Sequence, residues 1–439
     1  MVKKDLGKKM YELATELFPL PRSITGDGTR QTLRILKREV SELKMHEVPS
    51  GEKVLDWTVP LEWNIYEAYI ISPEGDRIVD FTNNNLHIVG YSAPIDAVIS
   101  LDELKRHLHT LPSQPSAIPY VVSYYKKTWG FCITHNQFQS LKSGDYHVKI
   151  KSTLKQGSLT YGEVVLPGKS KEEVFISTYV CHPSMANNEL SGPVVTIELI
   201  KYLKSLKERR YTYRIIFIPE TIGSITYISR HIKHLKKYVK AGFNITCVGD
   251  NRAYSFMPSR SGDTLSDRIS KHVLMYLHPE YKAYSFLSRG SDERQYCHPR
   301  VDLPMVSIMR SKYHEYPEYH TSLDNLDLIS AEGLYGAYNV NKVCLECIES
   351  NIILQNSIIG EPHLSPRGLY PTLGARPRES SVSTMMDLIA YSDGKRDLLS
   401  IAEEIGKSIW ELTPIVNLLL KEKILEEVDS LLDKKIIEW

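Results

Sequence analysis

Three textures of apolar and polar positions follow one another along the chain. Residues 8–18 and 28–44 have helical spacing and flank the turn-rich "PLPRSITGDG", which carries Arg22. From about 52 to 165, short β-rich runs replace them: "EAYIIS", "LHIVGYS", "IPYVVSYY" and "DYHVKIKS", set off by turns such as "SPEGD" and "KSGD". From about 170 to 350 strands alternate with helices. "EVFISTYV" leads through "CHPSMANNELSGP" into the helical "GPVVTIELIKYLKSLK", where Pro193 sits near the first turn. "YRIIFIPE" and the helical "SITYISRHIKHLKKY" come next, and "GFNITCVGD" and "LPMVSIMR" are further strands. This alternation predicts an α/β fold, a mostly parallel sheet with helices on both faces. Residues 351–382 have linker composition, and the remainder reads as helices that suggest a helix-turn-helix or winged-helix module.

The expected domain bounds are 1–51 for N-terminal helices, 52–165 for an inserted β-rich domain, 166–356 for the site-bearing α/β domain and 375–439 for the winged helix.

In such a sheet, ligands bind beyond the carboxyl ends of the strands. His182 follows "FISTYV", Glu220 closes "IIFIPE" and Asp250 closes "ITCVGD". The fourth strand leads into "SKYHEYPEYHTSLDN", with His314, Glu318, Tyr319 and His320. Imidazoles and carboxylates on one sheet edge suit metal-assisted hydrolysis. Zinc takes those ligands, keeps an open position for water and polarises a carbonyl. Glu220 is placed to pass the water's proton to a leaving amine.

"CHPSMANNELSG", "FIPETIG", "CVGD", "GSDERQY" and "EYPEYHTSLDN", with "PLPRSITGDG", "VPSGEKVLDWTVPLEWNI" and "SYYKKTWGFC", resemble a bacterial family of aminopeptidase-like proteins. That family is often associated with polysaccharide biosynthesis and is distantly related to the co-catalytic zinc aminopeptidases. The resemblance spans nearly the whole chain. It implies an aminopeptidase-like domain interrupted by a small β-rich domain and followed by a winged helix. It also implies that His182 and His320 are metal ligands, Glu220 the general base and Asp250 a later carboxylate ligand. Two positions depart from the pattern. Asn188 stands where the relatives carry a bridging aspartate, with Glu189 next door as a substitute ligand. Thr221 stands where they carry a second glutamate. The resemblance therefore implies one Zn2+ per chain rather than two, held by His182, Glu189, Asp250 and His320. Asn188, Asp292, Arg294 and Tyr319 are then substrate-binding candidates. Arg294 either holds a substrate carboxylate or closes an internal ion pair. Tyr319 either donates to an oxyanion or packs its ring.

Composition adds limits. The 439 residues are 42% hydrophobic and 24% charged, with net charge +1. No excess of either sign calls for nucleic acid or a membrane surface. No run reaches the roughly 18 apolar residues of a membrane span, and the N-terminus lacks a signal peptide's apolar run, so a cytoplasmic location is expected. Six scattered cysteines do not make a disulfide framework, and "CLEC" at 344–347 reads as buried helix thiols. Residues 383–439 hold seven basic against twelve acidic side chains, a balance of −5, which disfavours DNA and favours packing or homo-oligomerisation. The expected function is a zinc-dependent aminopeptidase-like hydrolase of a small peptide or aminoacylated metabolite. The alternative is a relative that binds without hydrolysing, and a DNA-binding regulator is disfavoured.

Overall fold

The computed structural model describes residues 3–369 and 381–428; the side chains of residues 3, 4 and 381 lie outside the description, as does most of the linker stretch "GARPRESS". The chain divides into two units. The first comprises Met1–Asp267 with Glu280–Asn341, and the second comprises Arg268–Pro279 with Lys342–Trp439.

The first unit is mixed α/β around an eight-stranded sheet. Its spatial order is Lys44–Pro49, Ser158–Leu166, Thr212–Ile218, Glu173–Tyr179, Val239–Asn244, Met305–Met309, Ser255–Met257 and Lys282–Ala283. The centre is parallel: Glu173–Tyr179 pairs in parallel with Thr212–Ile218 on one side and Val239–Asn244 on the other. Antiparallel pairing begins toward the edges. All seven residues of Glu173–Tyr179 are buried, as a central parallel strand covered on both faces requires. Helices Ser191–Ser205 and Ile222–Tyr238 make the crossovers. The four central strands therefore release the chain on one edge, after Tyr179, Ile218, Asn244 and Met309.

Several expected bounds shift. The helix expected over 28–44 spans Asp27–Glu39, and Lys44–Pro49 is an edge strand of the large sheet. Ser158–Leu166, at the end of the β-rich region, pairs with Thr212–Ile218 in that same sheet. "DYHVKIKS" and "EAYIIS" are paired strands of a separate four-stranded sheet. "LHIVGYS" and "IPYVVSYY" are not strands; they touch neighbours through single bridges, Gly90 to Val122 and Pro119 to Thr321. The β-rich residues nevertheless do not form a separate core. One buried cluster runs from Trp63, Phe131 and Ile150 to Phe175, Ile218 and Tyr227 beneath the large sheet.

In the second unit, helices Ser381–Tyr391, Leu398–Glu404 and Ile409–Lys421 accompany a three-stranded sheet ordered Asp393–Asp397, Ile353–Asn356, Leu425–Val428. The strand Ile353–Asn356 thus falls inside the stretch read as linker, and Leu425–Val428 falls inside the stretch read as helix. Caps set the helix starts. Asp397 accepts from the Ser400 N–H at 2.9 Å, and Ser408 with Glu411 forms a capping box. All six cysteines are free and buried. No helix among the described residues is long and apolar enough to cross a membrane.

Candidate functional site

Three of the four strand exits bring His182, Glu220, Tyr319 and His320 together. The His182 and His320 rings lie 5.3 Å apart, and Nε2 of His182 is 3.6 Å from Oε2 of Glu220. Tyr319 stacks on His320 at 3.9 Å. Tyr120, from the β-rich region, sits 5.2 Å from both imidazoles, held because its N–H donates to the His320 carbonyl. Tyr179 closes the other side, 5.4 Å from His182.

Local backbone strain concentrates here. Ser184, Thr221, Cys247, His314 and His320 all have positive φ, between 45° and 64°. For β-branched Thr221, at φ 63° directly after Glu220, this is a costly conformation that the surroundings must enforce. Asp292 is part of that enforcement, accepting from the Thr221 N–H and the Ser224 hydroxyl, each at 2.8 Å.

The segment Ala186–Leu190 is a turn of π-helix, wholly buried, leading into Ser191–Ser205. Asp324 anchors it. Its carboxylate accepts from the N–H groups of Ala186, Asn187 and Asn188 at 3.1, 2.6 and 2.9 Å, and from the Tyr316 hydroxyl at 2.9 Å. Glu189 thereby comes under His182, with Oε2 2.8 Å from Nδ1. Its other oxygen is 4.0 Å from Nε of Arg22, whose guanidinium is fully buried and also donates to the His182 carbonyl at 3.0 Å.

Burial governs the ionisation. It pushes Glu189 and Glu220 each up to about 8 and Asp292 up to about 6; Asp292 adds to the rise at Glu220, while Arg22 opposes that at Glu189. Burial lowers His182 to about 3, with Arg22 adding to it, and puts His320 well below its ordinary value, with His182 adding to that. Both imidazoles keep their lone pairs, the form that ligates metals. Several buried polar atoms of the site have no protein partner: Nε2 of His320, Oδ1 of Asn188, Oε1 of Glu189, Oδ2 of Asp292 and Nη2 of Arg22.

Other expected site residues are placed differently. Asp250 does not join the histidines. Its oxygens accept from the Asn187 amide, the Ser311 N–H and hydroxyl, and the Arg252 N–H, between 2.8 and 3.0 Å, so a metal would have to displace those donors. The expectation that Asp250 is a ligand does not fit these surroundings. Asn188 gives its amide N–H to the Tyr179 hydroxyl at 2.8 Å, which leaves Oδ1 as its free donor atom. Arg294 is exposed at the mouth, tied to the Thr221 hydroxyl at 3.1 Å and the Ser291 carbonyl at 3.0 Å, with further donors to spare.

Among the described residues, Cys181, His182 and Glu189 have donor atoms within 4.8 Å of one another. Burial drives the Cys181 thiol well above its usual range, and its sulfur accepts the Glu220 N–H at 3.2 Å. That trio is a closed cluster beside a guanidinium. The Nε2 side suits a cation better: two unprotonated imidazoles, one unpartnered, with the Glu220 carboxyl beside His182. The donors fit one ion. A second lacks carboxylates, since Asn188 and Thr221 are neutral and Asp250 is saturated.

Arg22, Tyr120, Tyr179 and Asp324 were not among the expected site residues. Asp324 was detectable as the acid in "TSLDN"; the tyrosines lie in runs that read as plain strand.

A family model described as "Domain of unknown function (DUF4910)" matches residues 11–351, and one described as "winged helix-turn-helix" matches 351–427, beginning before the expected 375. A Clostridium acetobutylicum protein named for polysaccharide biosynthesis and an aminopeptidase-like domain is 42% identical over 97% of each chain. A crystal structure from C. acetobutylicum, of a protein designated a peptidase, is 41% identical with TM-score 0.89 over 97% of each chain. The zinc aminopeptidase BSAP of Bacillus subtilis shares the fold at 14% identity and TM-score 0.55, covering 77% of this chain and 94% of its own. The chain belongs to the DUF4910 family, an aminopeptidase-like α/β domain followed by a winged helix.

Proposed function

We propose that the protein is a hydrolase that uses a single zinc ion to cleave an amide of a small peptide or an aminoacylated metabolite. The observation that carries the reading is the meeting of His182, His320 and Glu220 on one sheet edge, with His320 Nε2 buried and unpartnered. His182 and His320 would hold the ion, with Asn188 Oδ1 as a further donor. When bound, zinc supplies carbonyl polarisation and a water acidified toward neutrality.

The chain's own residues do the rest. Glu220 takes a proton from the attacking water as the carbon–oxygen bond forms. It delivers that proton to the departing nitrogen as the carbon–nitrogen bond breaks. Tyr319 would donate to the carbonyl oxygen. Arg294, at the mouth, takes a substrate carboxylate with its planar fork.

The full chain, purified without chelator, is expected to hold about one zinc, and His182→Ala to lose it. Glu220→Gln is expected to keep the metal while kcat for aminoacyl amides falls about 10²–10⁴-fold. Metal analysis and an amide-substrate panel check both. A wild-type chain that takes no zinc when offered it would refute this reading.

One observation favours a second reading, a binding protein that does not hydrolyse. The Arg22 guanidinium already puts a positive charge within 4.0 Å of Glu189. On that reading the site takes a ligand without metal, and the panel shows no turnover.

A further inference from the structure

Glu189 approaches His182 from the side away from the cleft. Oε2 lies 2.8 Å from Nδ1, whereas the Nε2 edge faces Glu220 at 3.6 Å. The two nitrogens of an imidazole point in divergent directions. An ion on Nε2 therefore cannot also be bound by a carboxylate that hydrogen-bonds Nδ1. Glu189 is itself immobilised. Its side chain is 0% exposed and it belongs to the buried π-turn anchored by Asp324. Arg22 braces the pair. Its Nε donates to the His182 carbonyl at 3.0 Å and stands 4.0 Å from Oε1 of Glu189, while Nη1 donates to the Leu17 carbonyl at 2.5 Å. The backbone of His182 and the carboxylate beneath its ring are thus fixed by one guanidinium.

We propose that Glu189 is a positioning residue for His182 and not a metal ligand: it fixes the ring proton on Nδ1 and so turns the Nε2 lone pair toward the cleft, with Arg22 holding Glu189 in place. A carboxylate behind a ligating histidine sets the tautomer and ring orientation, and its loss typically weakens metal binding 10–100-fold. The inference rests on the single-metal reading for its use, although the tautomer itself does not require a metal.

The test uses the full chain with ¹⁵N-labelled histidine, metal-free. The His182 resonances are identified by their loss in His182→Ala. The expected result is a single Nδ1–H tautomer in the wild type and loss of that preference in Glu189→Leu, which has no acceptor, with Glu189→Asp keeping it in part. A wild-type Nε2–H tautomer overturns the proposal without any variant, which guards against a variant that fails to fold. In the Co2+-loaded chain, Glu189→Gln is expected to keep the absorption spectrum while affinity falls about 10–100-fold. A changed spectrum would mean that Glu189 is a ligand, and would also overturn the proposal. If the wild type takes neither zinc nor cobalt but shows the Nδ1–H tautomer and its loss in Glu189→Leu, the positioning role stands and the hydrolase reading fails.

Discussion

Asp324 joins two distant stretches through one carboxylate. It accepts three consecutive backbone N–H groups at the start of the π-turn and a hydroxyl from Tyr316, with no exposure to water. Removing it strands buried donors, each worth about 1–3 kcal/mol. Asp324→Ala is expected to destabilise the first unit by about 3 kcal/mol or more, and Asp324→Asn by less, in urea unfolding. The sign with pH runs opposite to an ordinary ion pair. Burial raises this carboxyl from 3.8 to about 6, so the folded chain holds the proton more tightly than the unfolded one. Its contribution is greatest below about pH 4 and declines as pH rises toward 6. Asp324→Asn should flatten that part of the stability profile. His182 and Glu220 were legible because a strand end announces where a side chain emerges, whereas Arg294, on the short helix Glu293–Tyr296, came only with the family resemblance. Asp250 shows the limit of that logic. It too reads as closing a strand, but that strand ends at Asn244 and the donors to Asp250 come from Asn187, Arg252 and Ser311, which no spacing reveals. The partner of Arg22 was not legible because the carbonyl it serves is 160 residues away.

At the scale of elements, the helix Ser191–Ser205 must approach the sheet closely to hold the π-turn in place. Gly192 permits this. A Cβ there would run into the Ile245 carbonyl oxygen and the Thr178 hydroxyl, both fixed beside the sheet. Gly192→Ala is expected to cost about 3 kcal/mol, whereas Gly51→Ala, with φ +87° and open space, should cost about 1 kcal/mol of backbone strain. Chemical denaturation of the two variants separates packing from strain. The alternation of strand and helix after residue 170 was readable because the central strands are uniformly apolar and the helices periodic. "IPYVVSYY" was not, since the same β-branched and aromatic residues serve to pack Tyr120 between two histidines without a ladder. The end of the winged helix misled for a related reason: "ILEEV" continues a helical pattern, yet the chain pairs there with Ile353–Asn356.

For the whole molecule, two predictions concern charge. The second helix of the helix-turn-helix pair, Ile409–Lys421, carries one basic residue, Lys421, and it is the last. A recognition helix needs cations along its groove-facing side. Duplex DNA at physiological salt is therefore expected to bind no more tightly than roughly 10⁻⁴ M, measured by fluorescence anisotropy; tight, salt-dependent binding would refute this. In the first unit, Arg30 grips Glu62 at 2.6 and 2.9 Å, while Asn64 and the Ser158 N–H donate to the same carboxylate at 3.0 Å. This holds the Glu62 carboxyl down, at about 2 against 4.5. Its stabilisation is present above about pH 4.5 and is lost as pH falls through 2. Glu62→Gln is expected to cost about 2–3 kcal/mol at pH 7 and little at pH 2, read from thermal unfolding across that range.

The bond from Arg22 to the His182 carbonyl also has a consequence for synthesis. At 5–20 residues per second, a ribosome needs roughly 8–32 s to make the 160 residues between them. Throughout that interval the guanidinium destined for burial has the Leu17 carbonyl but lacks the His182 carbonyl. The nascent chain must wait, soluble and unfinished, for its own middle to arrive. Mutations that make the early segment stickier should therefore lower yield from translation while leaving the finished protein's stability unchanged.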